Sequence, residues 1–84
     1  MNVTEKEFGY MKEFIIRDMG YYLMDEYGMS IEKALDAIYG SKTYEMLCIP
    51  DSGLYYQSSQ YVYQFLKHEI TTGTFDLAAL VYNS

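Results

Sequence analysis

The feature that most limits how this chain can fold is a long stretch of helical periodicity near its N-terminus. Thr4 and Glu7 match a capping box, in which the threonine hydroxyl and the glutamate carboxylate each accept a free amide at a helix start. Apolar residues then recur at spacings of three and four, and Gly28 follows as a left-handed stop. We therefore predict a helix over residues 5–27. Its inner stripe comprises Phe8, Met11, Ile15, Met19, Tyr22 and Leu23.

Two shorter helices are predicted after this one. Ser30 can cap a helix over residues 31–39, since its hydroxyl can accept from the first free amides. The break before it is one turn long, which implies an antiparallel or angled pair of helices. A third, short helix begins at Ser41 or Thr43 and ends before Pro50, whose ring keeps the preceding residue out of helical geometry.

The second half of the chain is less regular. Residues 50–53 form a predicted turn, and residues 54–57 are predicted as coil, with a short strand as the alternative. A fourth helix is capped by Ser58 or Ser59 and extends to about residue 70. The residues predicted to face inward are Val62, Phe65, Leu66 and Ile70. A short fifth helix over residues 74–82 is favoured over a strand. The whole chain, residues 1–84, is thus predicted to be a single all-α domain, a compact bundle of four to five helices.

The charge of the chain excludes one large class of partner. Twelve acidic residues against six basic ones give a net charge of −6, which opposes binding to a phosphate backbone. Stacking of nucleic-acid bases on the tyrosines of residues 55–63 is also disfavoured. Such stacking surfaces normally carry several basic residues, and Lys67 is the only one nearby. An acidic mimic of DNA is the minor alternative, and lysines interrupt its acidic faces. No nucleic acid is expected, and a basic protein partner fits the charge better.

No pattern for catalysis or for a cofactor is present. Cys48 and His68 are the only cysteine and the only histidine, so neither a CxxC pair nor a zinc site can form, and nothing accompanies them as a nucleophilic site. The glycines are dispersed and make no phosphate loop. The longest apolar run, residues 77–82, is too short to cross a bilayer. We expect a non-enzymatic cytoplasmic protein without metal or cofactor and without membrane contact.

The chain has more aromatic residues than one buried stripe of a small core can hold. The chain has eleven tyrosines, and Tyr10, Phe14 and Tyr21 fall within about 40° of one another on the first helix, roughly opposite its inner stripe. Either the short helices cover both sides of this helix, or the second side is exposed for a partner or for self-association. Exposed aromatic residues are enriched at protein interfaces.

A second group of rings lies within residues 54–65. Tyr61 and Tyr63 fall on the margins of the buried stripe of the fourth helix, where their rings can widen the core while their hydroxyls stay in water. The two groups together predict a tyrosine-rich face that binds a protein partner, or that forms a homodimer or other structural homo-oligomer. The predicted binding residues are Tyr10, Phe14, Tyr21, Tyr55, Tyr56 and Tyr61.

Short motifs spread over the chain complete the sequence evidence. They are Phe14-Ile15-Ile16, Ser30 with Ala34, Tyr44 with Leu47, Leu54 with Gln57-Ser58, and Tyr61-Val62. In this order they resemble a small bacterial family, domain of unknown function 3791. The chain departs from that pattern at Tyr55 and Tyr56, in place of a histidine and a threonine, and in an inserted 50–53 turn. The resemblance implies an intracellular accessory protein, antitoxin-like or partner-binding, whose genes often lie beside those of ADP-ribosyltransferase-like proteins. No catalytic residue is implied.

Overall fold

The computed structural model describes residues 3–75, and over that range the chain is all-α. The elements are α1 (Glu5–Tyr27), α2 (Ile31–Tyr39), α3 (Lys42–Leu47), two 3₁₀ turns (Pro50–Ser52 and Leu54–Tyr56) and α4 (Ser59–Thr72). The predicted helical bundle is confirmed, and the bounds of α1 and α2 are those that the caps predicted. The predicted fifth helix, residues 74–82, lies outside the described residues except for its first two positions.

Local side chains fix where each helix begins. The Thr4 hydroxyl accepts from the Glu7 amide and the Glu7 carboxylate accepts from the Thr4 amide, both at 3.1 Å. These bonds lower the pKa of Glu7, chiefly through the Thr4 amide. Gly28 ends α1 in the left-handed conformation at φ 66°, which a residue without a β-carbon adopts at little cost. The other α-helices begin at serine caps, namely Ser30, Ser41 and Ser58.

The core lies between the inner stripe of α1 and the inward faces of α2, α3 and α4. Its fully buried members include Met19 and Leu23 of α1, Ile38 of α2, and Phe65 of α4. α2 packs over Gly20 of α1, where the Ile31 Cδ1 atom lies 3.9 Å from the place where a β-carbon would stand, at ordinary van der Waals distance. The inner stripe of α1 is therefore the central packing surface of the molecule.

A carboxylate of α4 joins the two halves of the bundle. Glu69 accepts hydrogen bonds from the Lys42 amide at 2.6 Å, the Thr43 amide at 3.0 Å and the Thr43 hydroxyl at 2.8 Å. These two amides are among the free donors of the first turn of α3, where a negative charge is favourable. A helix of only six residues thus receives its N-terminal partner from a distant part of the chain.

Two predictions in the second half are wrong. Residues 54–56 form a 3₁₀ turn rather than coil or strand, closed by a bond from the Gln57 amide to the Leu54 carbonyl, and this turn buries Leu54. Ile70 was predicted to face inward and is 37 % exposed. The last buried residue of α4 is Leu66, so Ile70 lies in a turn that extends beyond the core.

Candidate functional site

The side of α1 that faces away from the core is open to solvent. Tyr10 is 54 % exposed, Phe14 57 % and Tyr21 59 %. α2 covers α1 at Gly20, while the turn at 54–56 and α4 pack against its inner stripe. Of the two alternatives that the sequence left open for these rings, the structure therefore shows the exposed one.

These rings belong to a regular row of five side chains. Tyr10, Phe14, Arg17, Tyr21 and Met24 follow one another at spacings of four, three, four and three along α1, and the last of them is half-buried and also packs against the core. We call this row the outer seam. A strict alternation of three and four is the repeat by which two helices pack side by side in a coiled coil. Arg17 and Met24 were not predicted as binding residues, although this spacing was the signal that could have found them.

The centre of the outer seam carries a hollow and a fixed cation. The Arg17 guanidinium lies 4.8 Å from the centre of the Phe14 ring, within cation–π distance, and 3.6 Å from the Asp18 carboxylate. A shallow hollow of about 410 Å³ is lined by Tyr10, Glu13, Phe14 and Arg17. These four positions enclose the kind of hole that receives a side chain from a facing helix.

α2 widens the exposed apolar surface on one side of the outer seam. A hollow of about 360 Å³ lies between the two helices and is bordered by Tyr21, Ile31, Leu35 and Tyr39 among others. Ile31 is 48 % exposed and Tyr39 52 %. These α2 residues were not predicted as part of the site, because Ile31 and Leu35 lie on the one apolar face of α2, whose other members are buried in the core.

The 3₁₀ turn separates two of the predicted binding residues. Tyr56 is 51 % exposed and, with Phe14, borders a hollow of about 260 Å³, so it adjoins the outer seam. Tyr55 is only 6 % exposed and packs edge-on against the Phe8 ring, with ring centres 4.8 Å apart. Tyr55 is therefore a core residue, and its prediction as a partner-binding residue is wrong. The turn directs it inward, which an assignment as coil did not anticipate.

The tyrosines of α4 also differ from each other. Tyr61 is 45 % exposed and packs on the Phe65 ring at 5.2 Å, on the side of α4 roughly opposite Tyr63. Tyr63 was predicted at the margin and is instead 4 % exposed, with its ring 4.9 Å from that of Tyr22 on α1. Because Tyr63 faces α1, Tyr61 presents a surface separate from the outer seam.

The buried tyrosine of α4 takes part in a polar link between α1 and α4. The Tyr63 hydroxyl donates to the Glu26 carboxylate at 2.6 Å, and the Lys67 Nζ atom lies 3.4 Å from the same carboxylate. Burial, with this bond, raises the pKa of the Tyr63 hydroxyl, and the bond lowers the pKa of Glu26 with help from Lys67. The phenol thus stays neutral and the carboxylate ionised near neutral pH, which suits a structural link.

The remaining reactive groups do not form a second site. Cys48 is half-buried at the C-terminal end of α3, and a hydrogen bond to it raises the pKa of the Tyr44 hydroxyl. Residues 3–75 contain no cluster of three or more His, Cys, Asp or Glu side chains that could hold a metal ion. In the same part of the chain, no helix has both the length and the apolar character needed to cross a bilayer.

Comparisons with known proteins found no relative of this chain. A scan against protein-family models, a search of the curated proteins and a search of the solved structures each found no significant match. The resemblance to domain of unknown function 3791 therefore stays a prediction that rests on the motifs quoted above.

Proposed function

We propose that this chain is a non-enzymatic protein-interaction module and that the outer seam of α1 is its docking surface. The observation that carries the proposal is the exposure of Tyr10, Phe14 and Tyr21, each more than half accessible on one side of the longest helix. Contiguous aromatic side chains on a small domain are costly to leave in water and typical of binding surfaces. Arg17 adds the basic residue type that most often anchors protein interfaces.

The shape of this surface favours a helix as the docked element. A coiled-coil spacing on one helix is matched by a similar spacing on another, and the hollow among Tyr10, Glu13, Phe14 and Arg17 has the layout that accepts a side chain from such a helix. Exposed acidic and basic groups, Glu13 and Arg17, line this hollow, so the docked helix needs charges of both signs.

The resemblance described above supplies a setting for this role. We propose a bacterial cytoplasmic module that acts as an antitoxin-like or accessory partner of an ADP-ribosyltransferase-like protein. In that role the module would act by binding and would itself catalyse nothing.

A pair of triple serine variants tests the docking role. In the seam variant, Tyr10, Phe14 and Tyr21 are replaced by serine, and in a control variant three comparably exposed side chains elsewhere, Tyr27, Ile49 and Tyr61, are replaced. We expect both variants to keep the helical circular dichroism of the wild type, because surface substitutions change stability little. Polypeptides captured from cell extract by the wild type are then purified and titrated with all three chains.

The docking proposal predicts that the seam variant binds the captured polypeptide at least about 100-fold more weakly, since three interface anchors together contribute several kcal/mol. The control variant should bind within about threefold of the wild type. Unfolding of the seam variant would show that these rings belong to the core, and equal binding by all three chains would place the docking surface elsewhere.

A further inference from the structure

We infer that the occupant of the outer seam is a second copy of this chain, with the two α1 helices packed side by side in antiparallel directions. This inference rests on the proposed docking role and names the partner for that same surface. It starts from the spacing of the seam, which is nearly the same when read from either end of α1. Such a row is complementary to itself when a second copy is turned end for end.

The three-four repeat fixes which residues meet. In antiparallel helices of this kind, the two positions of the repeat alternate across the interface. Phe14 then faces Arg17 of the partner subunit, and Tyr10 faces Tyr21 of the partner subunit. At the outer end of the pair, Glu7 faces Met24 of the partner subunit. In this register the aromatic rings of the seam contact other rings or a guanidinium and are no longer exposed to water.

The hollow at the centre of the seam fits this register. The partner's Arg17 enters the space lined by Tyr10, Glu13, Phe14 and Arg17, where it meets the Phe14 ring, and the Glu13 carboxylate offsets the repulsion between the two guanidiniums. Arg17 already lies 4.8 Å from the Phe14 ring within one chain, so each ring gains a second cation on its outer side. Two arginines and two glutamates then alternate around the two-fold axis.

The charges also distinguish antiparallel from parallel packing. Parallel helices in register would place Arg17 against the partner's Arg17, and Glu13 beside the partner's Asp18. Like charges brought together across an interface oppose association. The antiparallel arrangement instead sets each Arg17 opposite the partner's Phe14, and it places Glu13 and the partner's Asp18 on opposite sides of the helix pair. Each Asp18 carboxylate accepts a hydrogen bond from the Ser59 hydroxyl of its own chain at 2.6 Å.

The area available indicates the strength of the pair. A buried aromatic side chain covers about 150–250 Å², so three half-exposed rings supply about 300 Å² per chain and about 600 Å² for the pair. Arg17, Met24 and the flanking α2 residues bring the total towards about 1,000 Å², the lower end for specific complexes. We therefore expect a dimer that exchanges readily and forms at higher protein concentration.

Disulfide cross-linking tests the register while leaving every ring of the seam in place. In a Cys48→Ser background, one chain carries Glu7→Cys and a second carries Met24→Cys. The antiparallel register brings these two positions together, whereas two copies of Glu7 lie about 25 Å apart at a rise of 1.5 Å per residue. A disulfide requires Cα atoms within about 7 Å. Under mild oxidation, the mixed sample should therefore cross-link at least tenfold faster than either chain alone.

Three outcomes would overturn the inference. The first is faster cross-linking in the unmixed samples, which is the result expected of parallel helices. The second is an equal rate of cross-linking in all samples. The third is no cross-linking, together with a wild type that stays monomeric at high concentration. A second pair, Tyr10→Cys mixed with Tyr21→Cys, repeats the test without touching the Glu7 capping box. Adding Phe14→Ser to both mixed chains should abolish the cross-link. Failure here leaves the docking proposal to the serine variants, where capture of another polypeptide is scored separately.

Discussion

Replacing Phe65 by alanine is expected to lower the free energy of unfolding by about 3–5 kcal/mol. The side chain is 1 % exposed and packs with Val62 and Leu66 in the only large core that the described residues form. Its ring also lies 5.2 Å from that of Tyr61 and 5.5 Å from that of Phe75. A domain of this size has a total stability of about 4–12 kcal/mol, so the loss is a large part of it. Urea unfolding followed by circular dichroism measures the difference.

Phe14→Ala is the matched control, because the same ring is removed from a position that is 57 % exposed. It should change the free energy of unfolding by no more than about 1 kcal/mol, mostly through the lost contact with Arg17. If Phe14→Ala were as destabilising as Phe65→Ala, the outer side of α1 would have to be part of the core.

The second large effect is expected at Glu69. Glu69→Ala should lower the free energy of unfolding by about 2–3 kcal/mol, because it leaves the Lys42 and Thr43 donors without their acceptor. The Thr43 side chain is fully buried, so its hydroxyl cannot turn to water instead. The same urea titration measures the change, and hydrogen exchange at the α3 amides shows whether that helix is the part that loosens.

Two control variants distinguish the loss of the Glu69 hydrogen bonds from the general effect of removing a negative charge. Glu69→Gln keeps one acceptor oxygen and should cost about half as much as the alanine. Glu45→Ala removes an exposed carboxylate from α3 itself and should stay within about 0.5 kcal/mol. An alanine at position 69 that matched the Glu45 variant would show that the link between α3 and α4 contributes nothing to stability.

Features set by neighbouring residues could be predicted from the sequence. The Thr4 and Glu7 capping box, the left-handed Gly28 and the serine caps involve groups within a few positions of each other, and they gave the bounds of α1 and α2. The exposed side of α1 was visible as a cluster of rings, although the sequence could not decide whether the short helices covered it. That decision depends on where α2 and α4 dock.

Features set by distant residues could not be predicted. Tyr63 is buried because its hydroxyl reaches Glu26 on α1, and Tyr55 because its ring meets Phe8, and neither contact is encoded by periodicity within one element. The capping of α3 by Glu69 is likewise a long-range contact. Arg17 was missed for a different reason, since a charged residue was not counted in an apolar stripe even though it completes the spacing of the outer seam.

Sedimentation equilibrium of the wild type, the seam variant and the control variant tests the central claim most directly. Over about a hundredfold range of concentration, wild type and control should pass from monomer towards dimer with similar constants. The variant lacking Tyr10, Phe14 and Tyr21 should stay a folded monomer throughout. A wild-type chain that remains monomeric at the highest concentration, or a seam variant that still dimerises, would contradict self-association through the outer seam.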